Sequence, residues 1–307
     1  MQFFFRCSII IFKKGIRAAF FGREKINFSG YDMKNWLLDK YVVLTGASGG
    51  IGAKLAILLI KKYGANVIGI GRTEEKLRFV QAELGDDEKK FSYRVFDVGD
   101  QSAWEAFADD LAKEEIKPIL LINNAGAFPT FARVQDTSVQ TVEEIMRINF
   151  FSAVYSYSAI GKNIEESGGI VNVCSSSALC PIVGTAAYSA SKSAMKGYTE
   201  ALLMEKKGRR YVGIVYPGTT ATDLFRNDEN TKNSALDIIA MKPEKMAKKI
   251  AKVIIKRKKR AVLGMDAKCM NLLAKIAPVK GLALIAWVMK KSGSKVFTEV
   301  FKEEKKK

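Results

Sequence analysis

From Asp39 onward, short apolar runs alternate with longer stretches whose apolar residues recur at helical spacing. Residues 41–44, 66–70, 92–96, 119–122, 170–173 and 212–215 read as strands, with 261–263 as a candidate seventh. Helical patterns fill the gaps at 51–62, 74–84, 104–115, 142–163 and 187–207. Strands that are apolar throughout are buried on both faces, and strands separated by helices of roughly ten or more residues run parallel. The pattern therefore predicts an α/β fold, a doubly wound parallel β-sheet with helices on both faces. Such sheets bind ligands beyond the carboxyl ends of their strands.

Past Pro217 the pattern changes. Residues 219–241 are polar and irregular, long enough for a functional loop over a site. Residues 243–255 form a basic amphipathic helix, followed by the cationic run 256–260. The stretch 271–290 is strongly apolar but interrupted by Lys275, Pro278 and Lys280, and 302–307 is a charged tail. No repeat or flexible linker divides the chain. The expected organisation is a flexible extension over 1–38, a catalytic domain over 39–265 that includes the substrate loop 219–241, and an apolar helical segment with its tail over 266–307. In residues 1–32, Arg6, Lys13, Lys14 and Arg17 break up the apolar runs. None reaches the roughly 18 apolar residues of a spanning helix, and no small-residue cleavage site follows. An extension, with Met33 as the functional beginning, is favoured over a surface anchor.

Composition narrows the chemistry. The chain has 307 residues, a formal net charge of +18 and no histidine. Lacking histidine, it cannot use a Ser-His-Asp triad, a Cys-His pair or a histidine zinc site. Any acid or base must be Tyr, Lys, Cys, Asp or Glu. The positive charge suits acidic partners such as anionic lipid or a phosphorylated cofactor. No nucleic-acid motif accompanies it, so no nucleic-acid partner is expected. Cys7, Cys174, Cys180 and Cys269 lack metal or redox spacing and read as reduced thiols of a cytoplasmic protein.

Directly after the first strand stands Thr45-Gly46-Ala47-Ser48-Gly49-Gly50-Ile51-Gly52, running into a helix. Glycines let backbone amides approach a pyrophosphate closely, and the helix start adds its positive dipole end. Cofactor binding is expected at Thr45, Gly46, Ser48, Gly50, Ile51 and Gly52. After the second strand comes Arg72, where an NAD-selecting fold places an acid for the ribose hydroxyls. A guanidinium suits a 2′-phosphate instead, so NADP is favoured over NAD. In 188–192, Tyr188 and Lys192 stand one helical turn apart on the same face. An ammonium beside a phenol, together with a cationic nicotinamide, lowers the phenol's pKa from about 10 and makes an acid/base without histidine.

These motifs together resemble the short-chain dehydrogenase/reductase family. The glycine spacing T-G-X-X-X-G-X-G is similar to that of its compact branch, and Tyr188-X-X-X-Lys192 to its reacting pair. The resemblance spans roughly residues 40–223 and implies a Rossmann-type fold with further roles. Ser175, thirteen residues before Tyr188, matches the catalytic serine that hydrogen-bonds the substrate oxygen; Cys174 departs from the serine common beside it. Asn149 matches the helix asparagine that anchors a water in a proton relay to the lysine. Asp97 and Val98 match residues that hold the adenine. Asn124, Ala125 and Gly126 belong to the N-N-A-G motif that closes the fourth strand, and Pro217, Gly218 and Thr222 to the nicotinamide contacts.

The expected activity is hydride transfer between a nicotinamide cofactor and a carbonyl or alcohol. NADPH-dependent reduction of a hydrophobic or lipid-like ketone is favoured. Ser175 polarises the oxygen, Tyr188 protonates it, and Lys192 with the Asn149 water restores that proton. The alternative is a catalytically weak NADP(H)-binding regulatory or scaffold protein. The apolar segment 272–289 suggests a lipophilic lid or peripheral membrane contact. By resemblance, a homodimer or homotetramer is expected.

Overall fold

A computed structural model describes residues 35–206, 210–222, 240–292, 294, 297, 300 and 301. The extension 1–32, Cys7 and most of the expected substrate loop lie outside the described residues. Seven parallel strands form one sheet: β1 (Tyr41–Thr45), β2 (Asn66–Gly71), β3 (Phe91–Val95), β4 (Leu120–Asn123), β5 (Gly169–Val173), β6 (Tyr211–Pro217) and β7 (Arg260–Leu263). Their order across the sheet is β3-β2-β1-β4-β5-β6-β7. Chain order therefore reverses between β1 and β4, which pair Leu44 with Ile122. A crevice opens at such a switch point, beyond the strand ends.

The helices are α1 (Gly50–Tyr63), α2 (Glu74–Ala82), α3 (Gln101–Lys113), α4 (Val139–Met146), α5 (Ser152–Ile160), α6 (Ala186–Glu205), α7 (Pro243–Ile255), α8 (Met265–Ile276) and α9 (Pro278–Lys291). Alternation along β1 divides the core. Val42 and Leu44 pack with Leu55 and Leu59 of α1, Leu77 of α2 and Ile250 of α7 on one face. Val43 packs with Trp104 and Phe107 of α3, Ile160 of α5 and Leu202 of α6 on the other. Both faces of the sheet are thus covered, which is why its strands read as unbroken apolar runs.

Three differences from the sequence reading have physical causes. The helix expected over 142–163 begins at Val139, where the Ser138 side chain caps it by accepting from the Thr141 amide. A π-helical turn at Arg147–Phe151 then separates α4 from α5; one extra residue in a turn leaves hydrophobic periodicity almost unchanged. The apolar stretch 271–290 is two helices, because Pro278 opens α9 and the residue before it, Ala277, leaves the helical region at φ −140°, ψ 73°, as proline disfavours a helical residue before it. Leu37 is buried in the core with Trp36 packed beside it, so ordered packing reaches back past the boundary expected at residue 38.

Candidate active site

The turn after β1 is built for close approach. Gly46 and Gly50 hold φ of +67° and +53°, backbone conformations that favour glycine. A Cβ on Gly46 would stand 2.9 Å from the Ala125 backbone, and one on Gly50 3.1 Å from Thr222. α1 starts here with no acidic residue in its first turn, leaving its positive end open to an anion. Thr45 works behind the turn. Its Oγ1 accepts from the amides of Asn124 and Ala125, both at 2.9 Å, and the Asn124 side chain donates to the Thr45 carbonyl at 3.0 Å. The ends of β1 and β4 are thereby fixed to each other.

A cavity of about 520 Å³ lies over the switch point. Its lining includes Gly46, Ser48, Gly50, Ile51, Arg72, Asp97, Val98, Asn124, Ala125, Gly126, Ser175, Tyr188, Lys192, Pro217, Gly218 and Thr222. Thr45, Gly52 and Asn149 stand behind that lining. Gly52 gives α1 room to cross the turn, since a Cβ there would lie 2.0 Å from the Gly46 carbonyl oxygen. The glycine cradle, open helix end and nearby cations fit a dinucleotide.

At one end of the cavity, Arg72 is joined by Lys76 on α2, a cation that sequence reading missed. Asp97 accepts from the Gly99 amide and from the Arg147 guanidinium, both at 2.9 Å. Burial works to raise its carboxyl pKa, but the Gly99 amide and Arg147 outweigh that and hold it below the ordinary value. Val98 is fixed by its carbonyl, which accepts from buried Trp104 Nε1 at 2.9 Å.

The side chains expected to react lie deeper in the cavity. α6 presents Tyr188 and Lys192, both buried, and Ser175 follows β5. The Lys192 ammonium lies 5.9 Å from the Tyr188 ring centroid and donates to the Val173 carbonyl at 3.4 Å. Burial pushes the Tyr188 phenol up to about 12, opposed by its hydrogen bond with Ser175. Burial also draws Lys192 below lysine's ordinary value. The expected depression of the phenol is thus not present in the protein alone: desolvation wins, and Tyr188 rests protonated. Cys174, whose thiol burial pushes up to about 11, stands as a neutral thiol 3.2 Å from the Lys192 carbonyl.

Asn149 lies in the π-helical turn and is fully buried. Its Oδ1 accepts from the Ala127 amide at 2.7 Å, while Nδ2 donates to the Ala127 carbonyl at 2.9 Å and Ser191 Oγ at 3.0 Å. The carboxamide therefore ties the segment after β4 to α6. The opposite wall is apolar: Phe128, Phe131, Ile182 and Met270 line the cavity. Phe128 stacks edge-on against Tyr188 with centroids 5.2 Å apart, and Met289, Phe297 and Val300 pack on the same cluster. Pairing alone could not have revealed these contacts between distant segments.

Among the described residues, no cluster of side chains could hold a metal ion. The family model described as short chain dehydrogenase matches residues 40–233. A 3-ketodihydrosphingosine reductase from Bos taurus is 30% identical over 255 residues, spanning 79% of this chain and 76% of that protein. A solved dehydrogenase/reductase from Sinorhizobium meliloti is similar with a TM-score of 0.68 at 25% identity, covering 76% of this chain and 97% of that one. A short chain dehydrogenase from Shigella flexneri, crystallised with NADP, shares the fold with a TM-score of 0.66 at 23% identity, covering 76% and 99%. The chain belongs to the short-chain dehydrogenase/reductase family, enzymes that use a nicotinamide cofactor to act on CH–OH and C=O groups.

Proposed function

We propose that this enzyme reduces a hydrophobic, lipid-like ketone with NADPH. One observation carries the reading: a single cavity has two cations, Arg72 and Lys76, at its cofactor end and an aromatic wall beside Tyr188. A 2′-phosphate is doubly charged and suits paired cations where NAD would call for an acid. The wall of Phe128, Phe131, Ile182 and Met270 favours an apolar substrate body. The NADP of the Shigella structure and the ketone in the bovine relative's name point the same way.

When bound, the reduced nicotinamide supplies a hydride to the carbonyl carbon. The chain's residues manage the oxygen. Ser175 donates a hydrogen bond that polarises the carbonyl, and Tyr188, protonated and buried, gives its proton to the forming alkoxide. Lys192 is placed to restore that proton and to stabilise the transient phenolate. Asn149 keeps the segment after β4 and α6 in register, so that these groups meet. Apolar walls exclude water, which strengthens each polar contact inside.

The test is turnover of NADPH and NADH against short, aromatic and long-chain ketones, with Tyr188→Phe alongside. NADPH and long-chain ketones are expected to give the higher kcat/KM. The phenylalanine variant should lose roughly 10²–10⁴-fold in kcat and still bind NADPH. Turnover retained in that variant would remove Tyr188 from the mechanism. Tight NADPH binding without turnover of any ketone would favour a regulatory, catalytically weak binding protein.

A further inference from the structure

The two C-terminal helices have apolar residues on both sides. Inward, Met270 of α8 lines the cavity, and Ile285 and Met289 of α9 pack with Phe128, Phe131 and Tyr188. Outward, Leu272 and Ile276 of α8 and Val279, Leu284, Trp287 and Val288 of α9 are exposed. Val279 is 80% exposed, Ile276 74% and Trp287 58%. Residues 272 and 276, like 279, 283–284 and 287–288, recur at helical spacing, so each helix shows solvent an apolar stripe. Large exposed apolar surface on a folded protein marks an interaction face.

The charges around these stripes identify the partner. Lys268, Lys275, Lys280 and Lys291 are exposed on the same two helices. No Asp or Glu stands between Asp266 and Glu299, and Asp266 is turned inward onto the Thr219 amide. A second copy docking face to face would set lysines against lysines. The chain's own residues 1–32 are also predominantly cationic, with Arg6, Lys13, Lys14, Arg17, Arg23 and Lys25 against Glu24 and Asp32. An anionic surface with an apolar layer beneath it complements both features. Lysine stems can lie along the stripe with their ammonium groups at the headgroups, and tryptophan prefers that same boundary. No helix among the described residues is long and apolar enough to cross a membrane.

We infer that α8 and α9 dock the enzyme on an anionic lipid bilayer, which places the apolar wall of its cavity against the membrane-facing helices. A lipid ketone would then reach Tyr188 from the membrane side. The docking is read by vesicle binding, so its failure is distinguishable from failure of the reductase reading.

The experiment is co-sedimentation of the full chain with vesicles of phosphatidylcholine and phosphatidylglycerol, against pure phosphatidylcholine, at low and high salt. Two variants accompany it: Val279→Glu/Trp287→Glu, and Lys275→Gln/Lys280→Gln. NADPH affinity, measured without vesicles, reports that each is folded. The expected result is binding to anionic vesicles that weakens with salt. It should be abolished in the glutamate pair and fall by roughly fivefold per lysine removed in the glutamine pair. Three results would each overturn the inference: no vesicle binding by the unaltered chain, equal binding by the chain and its glutamate pair, or a self-associated species that the glutamate pair dissolves while vesicles go unbound.

Discussion

At Tyr188 two demands oppose each other. An acid/base near neutral pH needs a low phenol pKa, whereas the apolar wall that excludes water pushes it up to about 12. The conflict eases if the phenol works chiefly as a donor, since a raised pKa keeps the proton in place until an alkoxide forms. Ketone reduction should therefore hold its kcat/KM from acidic through neutral pH and fall only as the phenol begins to ionise. Alcohol oxidation needs the phenolate and should rise with pH over the same range. Profiles in both directions check this; a reduction rate that rises from pH 6 to 9 would contradict it. At this scale the pairing of Tyr188 with Lys192 was legible because i,i+4 spacing forces both onto one helix face. The sign of the phenol's shift was not, because desolvation depends on Phe128 and on burial created by distant segments. Lys76 escaped notice because it is one of many surface lysines until Arg72 and the cavity give it a place.

Among elements, the first strand, turn and helix show how backbone geometry and sequence meet. A Cβ on Gly52 would stand 2.0 Å from the Gly46 carbonyl oxygen, while one on Gly197 of α6 would meet nothing within 4 Å. Gly52→Ala is expected to destabilise by about 1–3 kcal/mol through overpacking and to weaken NADPH binding by distorting the turn. Gly197→Ala should stabilise by about 0.4–1 kcal/mol, by restricting the unfolded chain and favouring helix. Urea midpoints at unchanged m separate the two; a Gly52→Ala protein as stable as its parent would refute the packing argument. The central strands were readable because a doubly covered parallel sheet needs continuous apolar runs. The π-helical turn at Arg147–Phe151 was hidden because it shifts the helical phase by a single residue. Yet that turn carries Asn149, whose carboxamide meets both Ala127 and Ser191. For α8 and α9 the sequence left lid and membrane contact as alternatives: periodicity shows that a stripe exists, not that the inward side is already occupied.

Across the whole molecule, a carboxylate of α8 is joined to the segment that follows β6 along the cavity wall. Asp266 Oδ2 accepts from the Thr219 amide at 2.6 Å. It reaches that amide only because Gly218 and Gly264 lack a Cβ, which would come within 2.3 and 2.4 Å of its oxygen. The loop it holds is pinned again farther on, where the Met241 amide donates to the Thr219 carbonyl at 2.9 Å and the Ala221 amide to the Met241 carbonyl at 3.0 Å. Thr222 follows directly and faces Gly50 of the phosphate turn. Asp266 is thus a positioning residue, touching no reacting atom in the proposed chemistry. Asp266→Ala removes a charge-assisted bond and frees the loop, so the KM for NADPH should rise on the order of tenfold. The kcat at saturating cofactor should change little, because Ser175 follows β5 and Tyr188 and Lys192 stand on α6, and all three keep their places. Asp266→Asn retains an acceptor oxygen and should restore most of the affinity. A kcat that collapses with KM unchanged, or an asparagine variant no better than alanine, would show that this carboxylate does something other than hold the loop.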